Sequence, residues 1–403
     1  MDQKILTQQA LAIATPGYIF DLDVFRDRVR LVEKAFGEKV GLCFSIKANP
    51  FLLKFLPGEF DKIEVCSPGE LSICERIGVD LGKIIFSGVN KTRKDVERAI
   101  DDGVDVLTVE SHLHLQLIHE AAKVRGKTVS VLLRLTAGSQ FGMDRSDVLD
   151  IIANREQYPH IRIVGIHFFS GTQKRKAAAI IKELDKLMVF FDEVKETHGF
   201  TLQRLEYGTG LAVDYFAADA EDQEAARLDA ISDKIREVGE KTELTVEMGR
   251  FFAAPCGYYV NKVIDTKTCE GIHYAIVDGG LNQLKYDGQI QGMQIPNITH
   301  IPAHAEEKNA MEQPWTLCGS LCTTADVLAR NVAMKNLRIG DTLVFHRTGA
   351  YSVSEGMALF LSRELPEVNV YSVATGLQQL RPVMDASRFN TPSDMDLFGR
   401  VLL

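Results

Sequence analysis

The chain has 403 residues, 45% hydrophobic and 25% charged, a composition typical of a globular protein with room for two domains. Its formal net charge of −9 disfavours non-specific nucleic-acid binding, which requires a basic surface. No apolar run is long enough for a membrane span and no basic-then-apolar leader follows Met1, so we expect a cytoplasmic protein without nucleic-acid or membrane partners.

The first 21 residues are expected to join a β-rich domain. Residues 1–14 are predicted to add an edge strand or a helix to a neighbouring element, and Tyr18–Phe20 reads as a short strand. Apolar residues at helical spacing then predict a helix over Asp23–Phe36.

From Gly41 onward, short apolar strands alternate with amphipathic helices. Strict alternation implies parallel pairing, because each return to the sheet needs a crossover helix. Eight units predict a (β/α)₈ barrel over residues 22–252, with a doubly wound sheet as the alternative. The predicted strands are Gly41–Ile46, Lys62–Val65, Lys83–Phe86, Asp105–Val109, Val129–Leu135, Arg162–Phe168, Arg204–Glu206 and Leu244–Glu247. The predicted helices include Pro68–Ile77, Lys91–Ile100, His112–Val124, Lys174–Thr197 and Asp222–Gly239.

The pattern changes after Arg250, where strands follow one another without long helices. This predicts a mostly β C-terminal domain over residues 253–403, with a weakly structured tail from Ala386. The strands predicted there are Gly257–Lys267, Gly271–Val277, Trp315–Cys318, Thr342–His346 and Val368–Val373.

Seven cysteines are an odd number for a long chain. They form no Cys-x-x-Cys pair, which disfavours a zinc site and a disulfide framework. We therefore expect no metal, and most of the thiols reduced and buried.

The first barrel strand ends in Lys47, followed by the turn Ala48-Asn49-Pro50. Burial disfavours a charged ammonium, and the neutral amine is the form that imine chemistry needs. An isolated lysine there is more often a surface residue just past a strand, so the interpretation depends on the other strand ends.

The loops after strands seven and eight are where such barrels tend to bind phosphate. Here they contain Gly208-Thr209-Gly210 and Gly249-Arg250. Backbone N–H groups can cradle phosphate oxygens there, although a tight turn is the other common use of these glycines. Glu247 can keep a heteroaromatic nitrogen protonated, or it can pair with Arg250. Together with Lys47, these features predict pyridoxal 5′-phosphate.

Several motifs, in order along nearly the whole chain, resemble the fold-type III pyridoxal-phosphate decarboxylases, the group of diaminopimelate, ornithine and arginine decarboxylases. Ser45–Asn49 is similar to the family's imine-forming lysine motif, and Glu247–Arg250 to its Glu-Pro-Gly-Arg motif. The other similar segments are the phosphate loop Glu206–Leu211, Asp278–Gly280, Gly319–Asp326 with its catalytic cysteine, and Gly349–Tyr351.

The resemblance implies a pyridoxal-phosphate barrel with an alanine racemase-like β domain, and a head-to-tail homodimer with shared active sites. It implies that Lys47 holds the cofactor, that Glu247 pairs with the ring nitrogen, and that Cys322 enters the neighbouring subunit's site as the acid. A small buried residue is the alternative for Cys322. The other implied cofactor contacts are His167, Phe169, Thr172, Gly208, Gly210, Gly249, Arg250 and Tyr351. The implied substrate contacts are Arg134, Cys322, Thr323 and Tyr351, with a structural ion pair as the alternative for Arg134.

Three departures from the family pattern bear on the substrate. Thr323 stands directly after the cysteine, where the family often has a carboxylate that binds a distal amino group. Phe169 replaces a ring-stacking histidine, and Met248 replaces a proline. These departures resemble the branch that acts on modified amino acids in siderophore or antibiotic assembly, where the distal group is conjugated to citrate or the amino acid is attached to a carrier protein.

The predicted activity is therefore removal of the α-carboxylate of a modified or diamino acid. Diaminopimelate decarboxylase of lysine biosynthesis is the first alternative. An amino-acid racemase is the second, although racemases of this architecture place an arginine where this chain has Glu247. A non-catalytic pyridoxal-phosphate protein is the third, although such proteins are single barrels.

Overall fold

The structure is a computed structural model that describes residues 1–304 and 311–392. It divides into two compact units. The barrel unit comprises residues 26–214 and 219–253, and the mixed-sheet unit comprises residues 1–25, 215–218 and 254–403. The domain boundaries at residues 22 and 253 stay a prediction.

The chain starts with helix α1 (Gln3–Ala10) and strand β1 (Gly17–Asp21), so the first segment is helical. Helix α2 (Leu22–Phe36) follows. The barrel strands are β2 (Gly41–Ser45), β3 (Phe60–Val65), β4 (Ile84–Phe86), β5 (Val106–Val109), β6 (Val129–Arg134), β7 (Ile161–Phe169), β8 (Arg204–Gly208) and β9 (Glu243–Met248). Its helices are α3 (Pro68–Ile77), α4 (Arg93–Asp101), α5 (His112–Val124), α6 (Arg145–Ala153), α7 (Ala177–His198), α8 (Ala220–Gly239) and α9 (Arg250–Ala253).

Strands β2 to β9 close into a parallel barrel in chain order, which confirms the predicted fold class. Each barrel strand begins and ends within two residues of its prediction. Helix α6 was missed, because a nine-residue helix offers only three buried side chains as a periodic signal. The interior below the open end is filled by Cys43, Ile85, Val106, Leu132 and Val164.

The second unit is a mixed nine-stranded sheet. Its remaining strands are β10 (Gly257–Cys269), β11 (Ile272–Val277), β12 (Ile298–Ile301), β13 (Glu312–Cys318), β14 (Val327–Lys335), β15 (Thr342–His346), β16 (Glu367–Ser372) and β17 (Gly376–Arg381). The main path runs β14-β13-β11-β10-β1-β16-β17, and β15 pairs with β10 and β12. Helix α1 packs on this sheet through Leu6 and Ala10.

Strands β12, β14 and β17 were not predicted. Strand β12 is only four residues long, and β17 has no fully buried residue. Strand β14 mixes buried and exposed positions, so its apolar signal is interrupted. In the predicted tail, a short helix α10 (Ser387–Asn390) is present, and residues 393–403 lie outside the described residues.

None of the seven cysteines forms a disulfide. Three are buried, two are partly buried, and Cys269 and Cys322 are exposed, so the prediction that most are buried was wrong. In the part of the chain that the structure describes, no group of three or more histidine, cysteine or acidic side chains is arranged to hold a metal. No helix of the described residues has the length and apolarity to cross a membrane.

Candidate active site

Lys47 lies on a short 3₁₀ turn, Ile46–Ala48, at the end of β2. Asn49 then accepts a hydrogen bond from Phe51 N at 3.0 Å and begins a second 3₁₀ turn with Pro50 at its first position. Gly249, at the end of β9, makes room for the turn, since an added Cβ would lie 2.7 Å from Ala48 Cβ. The turn sequence and this glycine together position Lys47 at the open end of the barrel.

Two carboxylates face the Lys47 ammonium. Its Nζ lies 2.5 Å from Glu64 Oε2 and 3.4 Å from Glu247 Oε1, and it donates to Cys66 Sγ at 3.5 Å. The Lys47 side chain is 38% exposed, so the expectation of a buried lysine was wrong. The chain leaves the strand one residue before Lys47, and the side chain therefore reaches the barrel opening, where the carboxylates offset its charge.

Glu247 is buried and accepts hydrogen bonds on both oxygens. Oε1 accepts from Ser45 Oγ at 2.9 Å, and Oε2 lies 3.1 Å from His167 Nε2. Burial raises the pKa of Glu247, but the Lys47 charge and the His167 hydrogen bond outweigh burial and hold the pKa well below its usual value. Glu247 is therefore a carboxylate.

A third acid, Glu206, lies fully buried on the neighbouring strand β8. Burial, reinforced by the charge of Glu247, raises the pKa of Glu206 well above its usual value, so it is a neutral acid. Burial likewise raises the pKa of the Cys43 thiol, which contacts Glu206. The sequence reasoning assigned no role to Glu206 or Glu64. The signal that could have identified them is their position, since both are acids near the ends of strands that neighbour β2 and β9.

The glycines of the β7 and β8 loops allow these loops to approach each other. An added Cβ on Gly208 would lie 2.5 Å from Phe169 Cδ2. Gly210 has φ +58°, and an added Cβ would overlap the carbonyl oxygen of Gly171, which precedes Thr172. Lys174 N donates to Gly210 O at 2.8 Å and holds the loops together. Arg250 is the first residue of α9, beside Gly249.

Arg134 lies two strands away from the β8 loop and is already paired. Its Nη1 donates to Glu110 Oε1 at 3.0 Å, and its guanidinium lies 4.7 Å from the centroid of the Phe141 ring. Glu110 also accepts from Gly142 N at 3.3 Å. The nearby Lys91 is buried, and desolvation lowers its pKa to about 8. The structure therefore contains the ion pair that was the alternative interpretation of Arg134.

Cys322, Thr323 and Tyr351 lie on the mixed-sheet unit. Cys322 is exposed, unlike a core cysteine. Thr323 Oγ1 accepts from Ala325 N at 3.3 Å, so its hydroxyl takes part in the turn of its own loop. Tyr351 has φ +66°, a conformation that non-glycine residues adopt rarely and that is common at functional sites.

The barrel residues fit pyridoxal 5′-phosphate. Lys47 is a reachable amine, and the Glu247 carboxylate suits a protonated ring nitrogen. His167 Nδ1 is buried and has no hydrogen-bond partner among the described residues. The glycine loops after β7 and β8 lie close together and carry no side chain at Gly208 and Gly210, an arrangement in which backbone N–H groups can bind a phosphate.

Residues 22–254 match the family model described as pyridoxal-dependent decarboxylase, pyridoxal binding domain. The 2-[(L-alanin-3-ylcarbamoyl)methyl]-2-hydroxybutanedioate decarboxylase of Staphylococcus aureus is 30% identical over 378 residues, which cover 87% of this chain and 92% of that protein. The L-glutamyl-[BtrI acyl-carrier protein] decarboxylase of Niallia circulans is 27% identical over 389 residues, which cover 91% of both chains.

The fold is similar to that of diaminopimelate decarboxylase from Methanocaldococcus jannaschii, with a TM-score of 0.83 at 23% identity, covering 96% of this chain and 94% of that one. The family model spans more than half of the sequence, and its cofactor fits the barrel residues. This chain therefore belongs to the pyridoxal-dependent decarboxylases, enzymes that use pyridoxal 5′-phosphate to remove a carboxylate from an amino acid.

Proposed function

We propose that the enzyme decarboxylates an amino acid whose distal end is conjugated, as in siderophore or antibiotic assembly, rather than a free diamino acid. The observation that carries the proposal is Thr323, a neutral residue at the position where related enzymes often place a carboxylate. A hydroxyl pairs with a distal ammonium less strongly than a carboxylate does. A conjugated substrate has no free ammonium at that end.

The relatives support this proposal. The Staphylococcus aureus protein is named for a citrate-like conjugate of an amino acid, and the Niallia circulans protein for an amino acid on an acyl-carrier protein. Several diaminopimelate decarboxylases are also similar, including one from Aquifex aeolicus that is 26% identical over 363 residues, so diaminopimelate is the second candidate substrate.

The barrel residues receive proposed roles from their contacts. When bound, the cofactor supplies the electron sink for the departing carboxylate. Lys47 anchors it, Glu247 holds a proton on its ring nitrogen, and His167 keeps Glu247 oriented. Phe169 stacks on the ring. The phosphate contacts are assigned to Thr172, Gly208, Gly210, Gly249, Arg250 and Tyr351.

The proton at Cα is assigned to Cys322, acting across a homodimer interface. The exposed position of this cysteine in the single chain supports that role. Thr323 and Tyr351 are the assigned substrate contacts, and Arg134 is assigned as a third that would exchange its Glu110 partner for a substrate carboxylate. Borohydride reduction followed by digestion should yield a pyridoxyl adduct on Lys47, and its absence would contradict the anchoring role.

The substrate proposal is tested by CO₂ release from a panel of free and conjugated amino acids. The panel contains meso-diaminopimelate, ornithine, lysine, arginine, a citrate-conjugated diamino acid and a thioester-linked amino acid. Release from a conjugate and not from the free amino acids is expected. Release from free diaminopimelate at a comparable rate would overturn the proposal and favour the second candidate.

A further inference from the structure

A cavity of about 260 Å³ lies within the mixed-sheet unit, slightly below the usual range for small-molecule pockets. It is formed by the segment after β11, the loop before β12, one residue of β14 and the turn after Tyr351. Most of its lining is apolar and is contributed by Leu281, Leu284, Tyr286, Leu328 and Met357.

The walls of the cavity are held by hydrogen bonds that do not depend on a ligand. The Gln289 amide donates to Gln294 O at 2.7 Å and accepts from Gln294 N at 3.0 Å, which closes the loop on itself. Arg330 N donates to Gly292 O at 2.9 Å and joins that loop to β14. Tyr286 donates its hydroxyl to His346 O at 2.7 Å, so only its ring is available to the cavity. The cavity is therefore preformed.

Two functional segments of the same unit border the cavity. Asp326 accepts from Leu281 N and from Leu321 N, both at 2.8 Å, and thereby joins the cavity wall to the loop of Cys322. On the other side, Glu355 N donates to Tyr351 O at 2.8 Å. A chain bound in the cavity would thus lie beside the segments that carry the assigned acid and a phosphate contact.

The charges of the lining indicate what kind of chain fits. Lys285 and Glu355 are the charged residues of the lining, and they pair with each other at 3.1 Å. Each is about half exposed, at 47% and 49%, which places the pair at the rim rather than in the interior. Among the described residues, the lining offers a polycarboxylate no cation beyond this paired lysine. An apolar, electrically balanced cavity favours a neutral chain, because desolvating a charge without a partner is costly.

We propose that this cavity binds the neutral arm of a carrier-borne substrate, a pantetheine-type chain of methylenes and amides joined by a thioester to the amino acid. The inference rests on the proposed function, and of its two forms of conjugate it selects the amino acid on a carrier protein over the amino acid joined to citrate. Because decarboxylation needs a free α-carboxylate, the thioester must join the side-chain carboxylate of the amino acid.

The test uses pantetheine as the binding probe and the side-chain N-acetylcysteamine thioester of L-glutamate as the substrate probe. Met357→Glu places a charge at the cavity, at a residue that is 52% exposed, so the fold should tolerate it. Met311→Glu is the matched control, because Met311 is 79% exposed and does not line the cavity. Calorimetry measures pantetheine binding to the holoenzyme, and CO₂ release gives kcat and KM.

We expect Met357→Glu to weaken pantetheine binding and to raise the thioester KM by about tenfold or more, with kcat unchanged. Met311→Glu should match the unmodified chain. Equal binding and equal KM in both variants would overturn the inference while leaving the proposed function intact. Pantetheine binding that depends on Met357, without CO₂ release from any conjugate, would support the cavity and refute the proposed function.

Discussion

Replacing Glu247 by glutamine removes one negative charge and keeps the shape of the side chain. The amide oxygen can still accept from Ser45, which lies 2.9 Å from Oε1. The amide nitrogen would face His167 Nε2, which is 3.1 Å from Oε2, so the histidine has to present a lone pair there. The substitution therefore tests the charge of Glu247 with little change in volume.

The size of the effect follows from the interaction that is lost. A hydrogen bond to a charged group contributes about 1.5–3 kcal/mol. If the Glu247 carboxylate stabilises the ring proton in the transition state more than in the ground state, its loss lowers kcat by about 10- to 150-fold at similar KM. Glu206→Gln is the matched control on the adjacent strand. Glu206 is a neutral acid, so the amide replaces one neutral group by another, and kcat should stay within about threefold.

Initial rates of CO₂ release measure both variants, each saturated with pyridoxal 5′-phosphate. The assignment of Glu247 would be refuted by equal losses in the two variants, because a charge-specific role predicts a loss only at Glu247. A loss confined to cofactor affinity, with kcat restored at saturation, would limit Glu247 to cofactor binding.

Three further predictions concern the loops and the buried acids. Gly210→Ala should lower both thermal stability and cofactor affinity, whereas Gly199→Ala should cost only about 1–2 kcal/mol of backbone strain, because both glycines have φ +58° but only Gly210 faces a backbone oxygen. Calorimetry and cofactor titration compare the two variants, and equal cofactor affinities would contradict a role for the contact between Gly210 and Gly171. Glu206→Gln should stabilise the protein increasingly as the pH rises above 4.5, the usual pKa of the side chain. The pKa of Glu206 is higher in the native than in the unfolded state, so the stability of the unmodified chain falls as the pH rises between the two values, and the glutamine variant lacks this loss. A difference in Tm between variant and unmodified chain that is the same at about pH 5 and about pH 8 would rule this out. Asp326→Asn should lower the free energy of unfolding by about 1–3 kcal/mol, because an amide oxygen can accept from only one of Leu281 N and Leu321 N, and it should speed alkylation of Cys322. Urea unfolding and rates of cysteine labelling test this against the control Asp265→Asn, and an unchanged labelling rate would show that Asp326 does not order the loop of Cys322.

The barrel was predictable because its signal is local. Each buried strand is a short apolar run, and most helices between strands show a 3.6-residue period, so the eight units could be counted without knowing any contact, even with α6 missed. Position at a strand end then selected Lys47 and Glu247, since parallel strands of a barrel direct their carboxyl ends to one face.

The remaining features depend on contacts between strands. Whether Glu64 reaches Lys47 depends on the register between β2 and β3, where Ser45 pairs with Glu64. The neutral state of Glu206 depends on burial beside Glu247, which no pattern within β8 encodes. The exposure of Lys47 depends on the conformation after β2, because the strand ends at Ser45 and Lys47 lies on the following 3₁₀ turn, which no local apolar pattern predicts.

The buried acids also limit what can bind at the open end. Glu247 is ionised and Glu206 is neutral, and the Lys47 ammonium contacts both Glu64 and Glu247, whereas His167 contacts Glu247. A ligand that neutralises the Lys47 ammonium is therefore favoured when it brings a positive charge of its own, since an uncompensated buried carboxylate is costly. A protonated heteroaromatic ring meets this requirement beside Glu247, whereas a neutral ring would leave the carboxylate without a partner other than Ser45 and His167. The charge balance of the barrel alone thus favours a cofactor whose ring is a cation, independently of the glycine loops.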